Sequence, residues 1–484
     1  MVVTVEEAGR GASAKRFALP ALTAMVVGSM VGAGVFSLPR NFAQATGVFG
    51  AIVAWAIAGF GMLMLAFVFQ ILAVRKPELD AGVYAYAKAG FGEFPGFFSA
   101  FGYWASACVG NVSYWVLVKS TLAPLFPALG TGDTVVAVAA STVGVWAFAL
   151  LILRGVQQAA AVNKIVTVAK LVPIVMFLVV VLVSLDAGVF AANFWGGERS
   201  LSSIAGQVRA TMLVTVFVFL GVEGASVYSR YARRRADVGR ATVLGFVSVL
   251  ALFASVTLLS YGTLPRSDLA DLHQPSMGGV LESVVGSWGR AFIGAGLVVS
   301  VLGAYLAWTL MAAEVLFVSA EDRDMPRFLR RQNGAGAPSA ALVLTSALTT
   351  AVLVTTLFSD DALTFTLEFC SSLSLVPYLL TAAYALKLAV TGETYADDPG
   401  APRRRHLLTA GAAVVYTVFL LWAAGLSYLL LSCIVYALGT ILFAMTRREN
   451  GRRVFARSEL ALFAVVVAGG VLGVAGLAAG WITL

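Results

Sequence analysis

Three groups of residues in this sequence could do chemistry in an apolar setting. The first is Met25-Val-Val-Gly-Ser-Met-Val-Gly-Ala-Gly-Val-Phe-Ser-Leu-Pro-Arg-Asn41, where Gly28, Gly32, Gly34 and then Pro39 interrupt a segment apolar enough to cross a bilayer. Glycine costs roughly 1 kcal/mol against alanine inside a helix, so this density predicts a helix that breaks. At membrane depth the break must be buried in protein or line a cavity. Its free N–H groups, with the positive end of the second half-helix, make a seat for a carboxylate. Close helix packing through Gly28-x-x-x-Gly32 is the other reading.

The second group is Phe217-Val-Phe-Leu-Gly-Val-Glu-Gly-Ala-Ser226, where Gly221 and Gly224 bracket an acid, Glu223. A carboxylate within a span faces the bundle interior or a cavity. It either caps the backbone freed by the break or gates a cycle through its protonation. The third is Lys170 in Asn163-Lys-Ile-Val-Thr-Val-Ala-Lys-Leu-Val-Pro173, about 9 Å further along a helix than Lys164. Its ammonium either snorkels to the headgroups or is buried and must find partners.

The elements that must hold these groups are membrane helices. Hydrophobic residues make up 60% of the 484 and charged residues 12%, which excludes an ordinary soluble domain. Apolar runs of about 20 residues recur along the chain. They predict thirteen helices, at roughly 17–38, 49–73, 96–119, 134–153, 162–184, 208–229, 240–262, 288–318, 339–358, 364–389, 407–425, 427–446 and 459–482. Arg75, Lys76, Arg154, Lys164, Arg230, Arg233–Arg235, Arg323, Arg327, Arg330, Arg331, Arg403–Arg405, Arg447, Arg448, Arg452 and Arg453 all fall in one set of alternate loops. The positive-inside rule then puts the N-terminus and those loops in the cytoplasm of a multi-pass cytoplasmic (inner) membrane protein. The net charge of +8 follows from that orientation and from anionic lipid, and calls for no nucleic acid.

Catalysis is poorly served. Cys108, Cys370 and Cys433 lie in apolar spans and read as small hydrophobes. His273 and His406 fall in loops, so neither a Ser-His-Asp triad nor a zinc site has candidates within the spans. No cofactor, metal or enzymatic activity is expected. The interrupted helices are the first and sixth. A repeat of five helices inverts the second copy, and in such transporters the discontinuous helices meet at a midplane substrate site. Tyr103, Trp104, Phe217, Phe219, Trp308 and Tyr378 cluster on spans around that level. An aromatic face there could hold an organic cation, with about 2 kcal/mol from cation–π attraction once desolvated.

Gly28-Ser-Met-Val-Gly-Ala-Gly-Val-Phe-Ser-Leu-Pro39 and Phe219-Leu-Gly-Val-Glu-Gly-Ala225 resemble the first- and sixth-helix signatures of the amino acid–polyamine–organocation (APC) superfamily. Leu65-Ala-Phe-Val-Phe-Gln70, Arg75-Lys-Pro-Glu-Leu-Asp80 and Gly82-Val-Tyr-Ala-Tyr-Ala-Lys-Ala-Gly-Phe-Gly92 are similar to the arginine:ornithine antiporters and lysine transporters of its basic amino acid/polyamine antiporter branch. The resemblance covers about residues 17 to 446. It implies that backbone N–H groups at Gly32, Ala33 and Gly34 bind a carboxylate, Ala33 replacing a serine of some relatives. It implies that carbonyls near Phe217 to Leu220 hold the α-amino group, and that Phe217 and Trp308 stand at the positions of two tryptophans. It implies that Tyr103, Asn111, Glu223 and Tyr378 line or gate the cavity, and Phe219 of the aromatic cluster is expected to bind substrate with them. Lys170 takes the place of the sodium ion bound by sodium-driven relatives, between helices 1 and 8.

The expected fold is an all-α polytopic membrane protein with a five-plus-five inverted repeat and about 12–13 transmembrane helices. A cytoplasmic tail (1–16) precedes a twelve-helix core (17–446, repeats about 17–184 and 208–389), and a basic loop and extra helix follow (447–484). The expected function is exchange of cationic amino acids, arginine for ornithine with lysine as competitor, by alternating access. Proton-linked uptake of lysine or another amino acid, and an amino acid sensor on the same fold, are the alternatives. The expected partners are these substrates and the lipid bilayer, and a homodimer is left open.

Overall fold

Glycine-rich backbone sets where the helices stop. The computed structural model describes residues 19–79, 83–155, 159–223, 235–395, 398 and 400–483. The predicted tail 1–16, Gly224 with the second half of the predicted sixth helix, Arg230, Arg233, Arg234 and the side chain of Lys164 lie outside the described residues.

The chain begins with α1 (Leu19–Met30) and leaves helical geometry at Val31 and Gly32. It resumes as a 3₁₀ turn over Ala33–Ser37 and continues as α2 (Leu38–Ala45), the two halves bent by 52°. Pro39 falls in the first turn of α2, where a missing N–H is tolerated. Then come α3 (Val48–Arg75), α4 (Val83–Phe91), α5 (Glu93–Leu122), α6 (Val135–Leu153) and α7 (Ala159–Val183). A short α8 (Ala187–Ala192) precedes α9 (Leu201–Phe219) and α10 (Arg235–Ser260), followed by short α11 (Arg266–Asp271) and α12 (Ser276–Val285). The remainder is α13 (Ser287–Glu321), α14 (Ser339–Thr355), α15 (Ala362–Thr391), α16 (Arg403–Glu449) and α17 (Arg457–Ala478).

Among the described residues, nine helices are long and apolar enough to cross a membrane, or ten with α1 and α2 counted as one bent span. The thirteen predicted spans exceed that number for physical reasons. The predicted eleventh and twelfth helices both lie within α16, which is non-helical at Gly425 (φ 75°, ψ 171°). Arg403 at its start donates to the carbonyls of Ala389 and Val390 at the end of α15. Arg447 at its end pairs with Glu93 at the start of α5, and Lys387 of α15 donates to the Gly90 carbonyl beside that start. Both ends of α16 thus share one face, and the chain reverses at Gly425, where only glycine takes this backbone freely. α5 has the length of a span but carries Ser99, Ser106, Asn111, Ser113 and Lys119, all buried. In α7 the apolar stretch runs over Lys170–Val183.

That face carries the arginine-rich loops, and it is sealed by α4, which lies in a predicted loop. Lys88 Nζ meets Asp324 at 2.6 Å, and the Tyr84 hydroxyl donates to Asp322. At the C-terminal end of the described residues, α17 packs its glycines on α16. A Cβ at Gly469 or Gly473 would lie 2.8 Å from Cys433 Sγ or 2.9 Å from the Leu430 carbonyl, the close approach that small residues permit between membrane helices. Phe455 stacks on Phe463 at 4.5 Å, and Arg447 holds Glu459 at 3.1 Å.

Candidate functional site

The two helix interruptions touch. α9 ends at Phe219, Leu220 leaves helical geometry, and Gly221 adopts φ 102°. A Cβ on Gly221 would stand 2.4 Å from the Ser29 carbonyl oxygen, so only glycine lets the two breaks meet. Gly34 makes the second close approach: a Cβ there would lie 2.7 Å from Val218 Cγ1 and 2.9 Å from Phe217 Cδ1.

Between the breaks is a small cavity of about 30 Å³, room for two or three water molecules at roughly 10–15 Å³ each. Gly32 and Gly34, Tyr103 and Asn111 of α5, Phe217 of α9 and Trp308 of α13 line it. The N–H groups of Gly32, Ala33 and Gly34 have no backbone acceptor among the described residues, as befits the first turn of a helix. On the α9 side, the Phe217 and Phe219 carbonyls are taken by the N–H groups of Leu220 and Val222. The Val218 carbonyl keeps no backbone donor among the described residues. Also on the wall, Asn111 Nδ2 donates to Thr309 Oγ1 at 3.1 Å, while its buried Oδ1 accepts from no group among the described residues. Among the described residues the cavity therefore offers unpaired backbone donors at the first break and an unpaired acceptor on Asn111, with Phe217 and Trp308 also on its wall. An unpartnered buried acceptor is costly, and a donor brought by a ligand would satisfy it.

Glu223 and Tyr378 lie behind this cavity rather than on its wall. The Glu223 carboxylate accepts from the Tyr103 hydroxyl at 2.7 Å, the Tyr378 hydroxyl at 2.9 Å and the Gly221 N–H at 3.1 Å. It thereby ties α5 and α15 to the α9 break. Ala33 is buried in the 3₁₀ turn and does not border the cavity. Phe219 points elsewhere: it stacks on Phe246 at 5.0 Å and meets Trp55 edge-on at 6.0 Å. Trp104 lies on the back of α5 and donates to Thr345 Oγ1. Cys370, read from the sequence as a core hydrophobe, is a wall of the cavity, with Sγ 3.1 Å from the Ser106 carbonyl. Ser106, Gly110 and Tyr114 also line it and were missed. Their signal was present, since Tyr103, Ala107, Asn111 and Tyr114 recur at helical spacing.

Lys170 is 7% exposed. Its Nζ donates to the carbonyls of Gly28 at 2.6 Å and Val31 at 2.7 Å. These are carbonyls that the end of α1 leaves without full helical partnering, so the ammonium pins α7 to the first break.

A sequence profile described as amino acid permease matches residues 17–429. The chain belongs to the amino acid permease family. It is 49% identical to an arginine/ornithine antiporter of Pseudomonas aeruginosa, over 98% of this chain and 99% of that protein. It is 38% identical to an L-lysine transport protein of Corynebacterium glutamicum, over 98% of each chain, and 35% identical to an arginine/agmatine antiporter of Chlamydia pneumoniae, over 93% and 94%. These matches set the permease in the basic amino acid antiporter branch of the APC superfamily, among transporters rather than enzymes.

In this permease side-chain ties flank the cavity on both sides. On the side away from the arginine-rich loops, Arg40 of α2 meets Asp361 at 3.0 Å. Asp361 also caps α15 by accepting from the Thr364 N–H. On the arginine-rich side the ties are Tyr103–Glu223–Tyr378 and, nearer the surface, the α4 contacts to Asp322 and Asp324. Burial of Asp324 raises its pKa above the usual 3.8 even though Lys88 acts to lower it. Burial likewise raises that of Tyr84, with the Asp322 hydrogen bond adding to it.

Proposed function

We propose that this permease exchanges cationic amino acids across the cytoplasmic membrane, arginine for ornithine, by alternating access. The observation that carries this reading is that one cavity gathers the N–H groups of Gly32 and Gly34 at the first break with Asn111 Oδ1, Phe217 and Trp308. The N–H groups suit an α-carboxylate, and the Val218 carbonyl suits the α-ammonium. The acceptor and the two π faces suit a guanidinium or terminal ammonium. The family's named members support the same substrates. The cavity is far smaller than an amino acid, so substrate entry goes with parting of the helices around it. Toward the cytoplasm that parting breaks Tyr103–Glu223–Tyr378, and toward the outside it breaks Arg40–Asp361. We take the arginine-rich face as cytoplasmic on the positive-inside rule. The five-plus-five inverted repeat, about 17–184 and 208–389, is supported by the like construction of the two breaks. Lys170 is given the role of a fixed cation in place of sodium.

Counterflow in proteoliposomes tests the proposal. Labelled arginine should enter ornithine-loaded vesicles quickly and empty vesicles hardly at all, without need of sodium. Equal entry into both refutes obligate exchange. Faster exchange with lysine than with ornithine moves the assignment to a lysine transporter.

A further inference from the structure

A second, larger cavity lies away from the transport route. It is an open groove of about 770 Å³ on the flank of the protein, bounded by the last turns of α3, the first turns of α10 and the first turns of α16. Its polar residues stand at one level. Gln70 precedes the end of α3 by five residues, Arg240 follows the start of α10 by five, and Arg405 is the third residue of α16. From that level the walls turn apolar with depth: Met64 lies about 9 Å below Gln70, and Leu244 about 6 Å below Arg240, at the helical rise. The charged end faces the arginine-rich loops and the apolar end faces the hydrocarbon.

The two arginines differ from their neighbours. Arg75 is paired with Asp398 at 3.2 Å, and Arg403 is spent on the carbonyls of Ala389 and Val390. Arg240 and Arg405 form no ion pair or hydrogen bond among the described residues. Two unpaired guanidiniums over an apolar trough match a phosphodiester carried on acyl chains, because arginine forks onto phosphate oxygens and basic pockets between helices on this side bind anionic headgroups. A zwitterionic lipid fits less well, since its headgroup cation would meet the same two arginines.

We propose that this groove seats an anionic phospholipid of the arginine-rich leaflet, its phosphodiester held between Arg240 and Arg405 and its acyl chains laid along Phe67, Ile71 and Val243. The groove is large enough for a headgroup and the first part of its chains, within the roughly 300–1,000 Å³ of ordinary ligand sites. It shares no lining residue with the cavity between the helix breaks, so the proposal stands or falls apart from the substrate assignment.

Native mass spectrometry of the purified full-length protein, titrated with phosphatidylglycerol or phosphatidylcholine, tests it. The parent should prefer phosphatidylglycerol by about tenfold or more, two guanidiniums each adding several-fold. Arg240→Gln/Arg405→Gln should reduce that preference to within about twofold, while Arg240→Lys/Arg405→Lys keeps most of it. Arg448→Gln/Arg453→Gln, which removes the same charge elsewhere on that face, should leave it intact. Val243→Trp, which fills the trough without touching charge, should also weaken binding. Equal binding of the two lipids by the parent overturns the proposal. So does a preference that survives the Gln/Gln variant or falls equally in the control pair. Competition by millimolar inorganic phosphate would make the groove a free-anion site instead. Binding that appears only when residues 1–18 are deleted would make the chain's own tail the occupant.

Discussion

Replacing Lys170 by methionine separates the energetics of folding from those of transport. Two hydrogen bonds, to Gly28 and Val31, disappear. A hydrogen bond to a charged group is worth roughly 1.5–3 kcal/mol, so about 3–6 kcal/mol of attraction between α7 and the first break is lost. Against this, an ammonium only 7% exposed carries a desolvation cost of several kcal/mol, which methionine does not. The two nearly offset in folding, so Lys170→Met should reach the membrane and melt within a few degrees of the parent. They do not offset in the transport cycle, because the attraction acts only in conformations where α1 lies against α7. Losing even one of the two bonds there shifts the population by about ten- to a hundredfold. Counterflow of arginine against ornithine, at matched protein density, should slow by that factor, and Lys170→Arg should recover part of it. Sodium should leave the parent rate unchanged. A methionine variant as fast as the parent, or a parent stimulated by sodium, refutes the reasoning.

Trp308→Ala should weaken arginine binding by roughly thirtyfold, the loss of about 2 kcal/mol of cation–π contact in a desolvated site, while Trp308→Phe keeps part; calorimetric affinity equal to the parent's makes Trp308 a packing residue. Gly221→Ala puts a Cβ 2.4 Å from the Ser29 carbonyl at φ 102°, a backbone strain of about 1–3 kcal/mol before the clash is counted, so exchange should fall at least about tenfold; parent-like exchange shows that the breaks need not touch. Asp324, with Lys88, Asp322 and Glu93 facing it, binds its proton more tightly when buried under α4 than the usual 3.8 allows. Lowering the pH from that raised value toward 3.8 therefore favours the docked α4, and raising the pH through it removes the effect. Hydrogen exchange over Val83–Phe91, corrected for intrinsic rate, should slow on acidification and lose that dependence in Asp324→Asn; faster opening in acid reverses the sign and refutes it.

What the sequence determined alone was local and energetic. Three glycines in an apolar run are costly in a continuous helix, and together with the second glycine cluster around Glu223 they made the interruption near Gly32 legible in the sequence. The same held for Glu223 between two glycines, since a lone acid at that depth requires company. Most of the spans followed from the length of apolar runs, and the division predicted between 425 and 427 falls where α16 is non-helical at Gly425. What only the tertiary structure decided was direction. Phe217 and Phe219 are equivalent in a list of aromatics, yet two residues are about 200° of helix, and one faces the cavity while the other packs on Trp55 and Phe246. Cys370 became a cavity wall because α15 turns that side of itself toward Ser106, a contact more than 260 positions away in the chain. Lys170 could be read as buried, but the carbonyls it reaches belong to another helix. The pair Arg240 and Arg405 is visible only once α10 and α16 stand side by side. Helix breaks are set by backbone energies within a few residues, and partners are set by how distant surfaces pack.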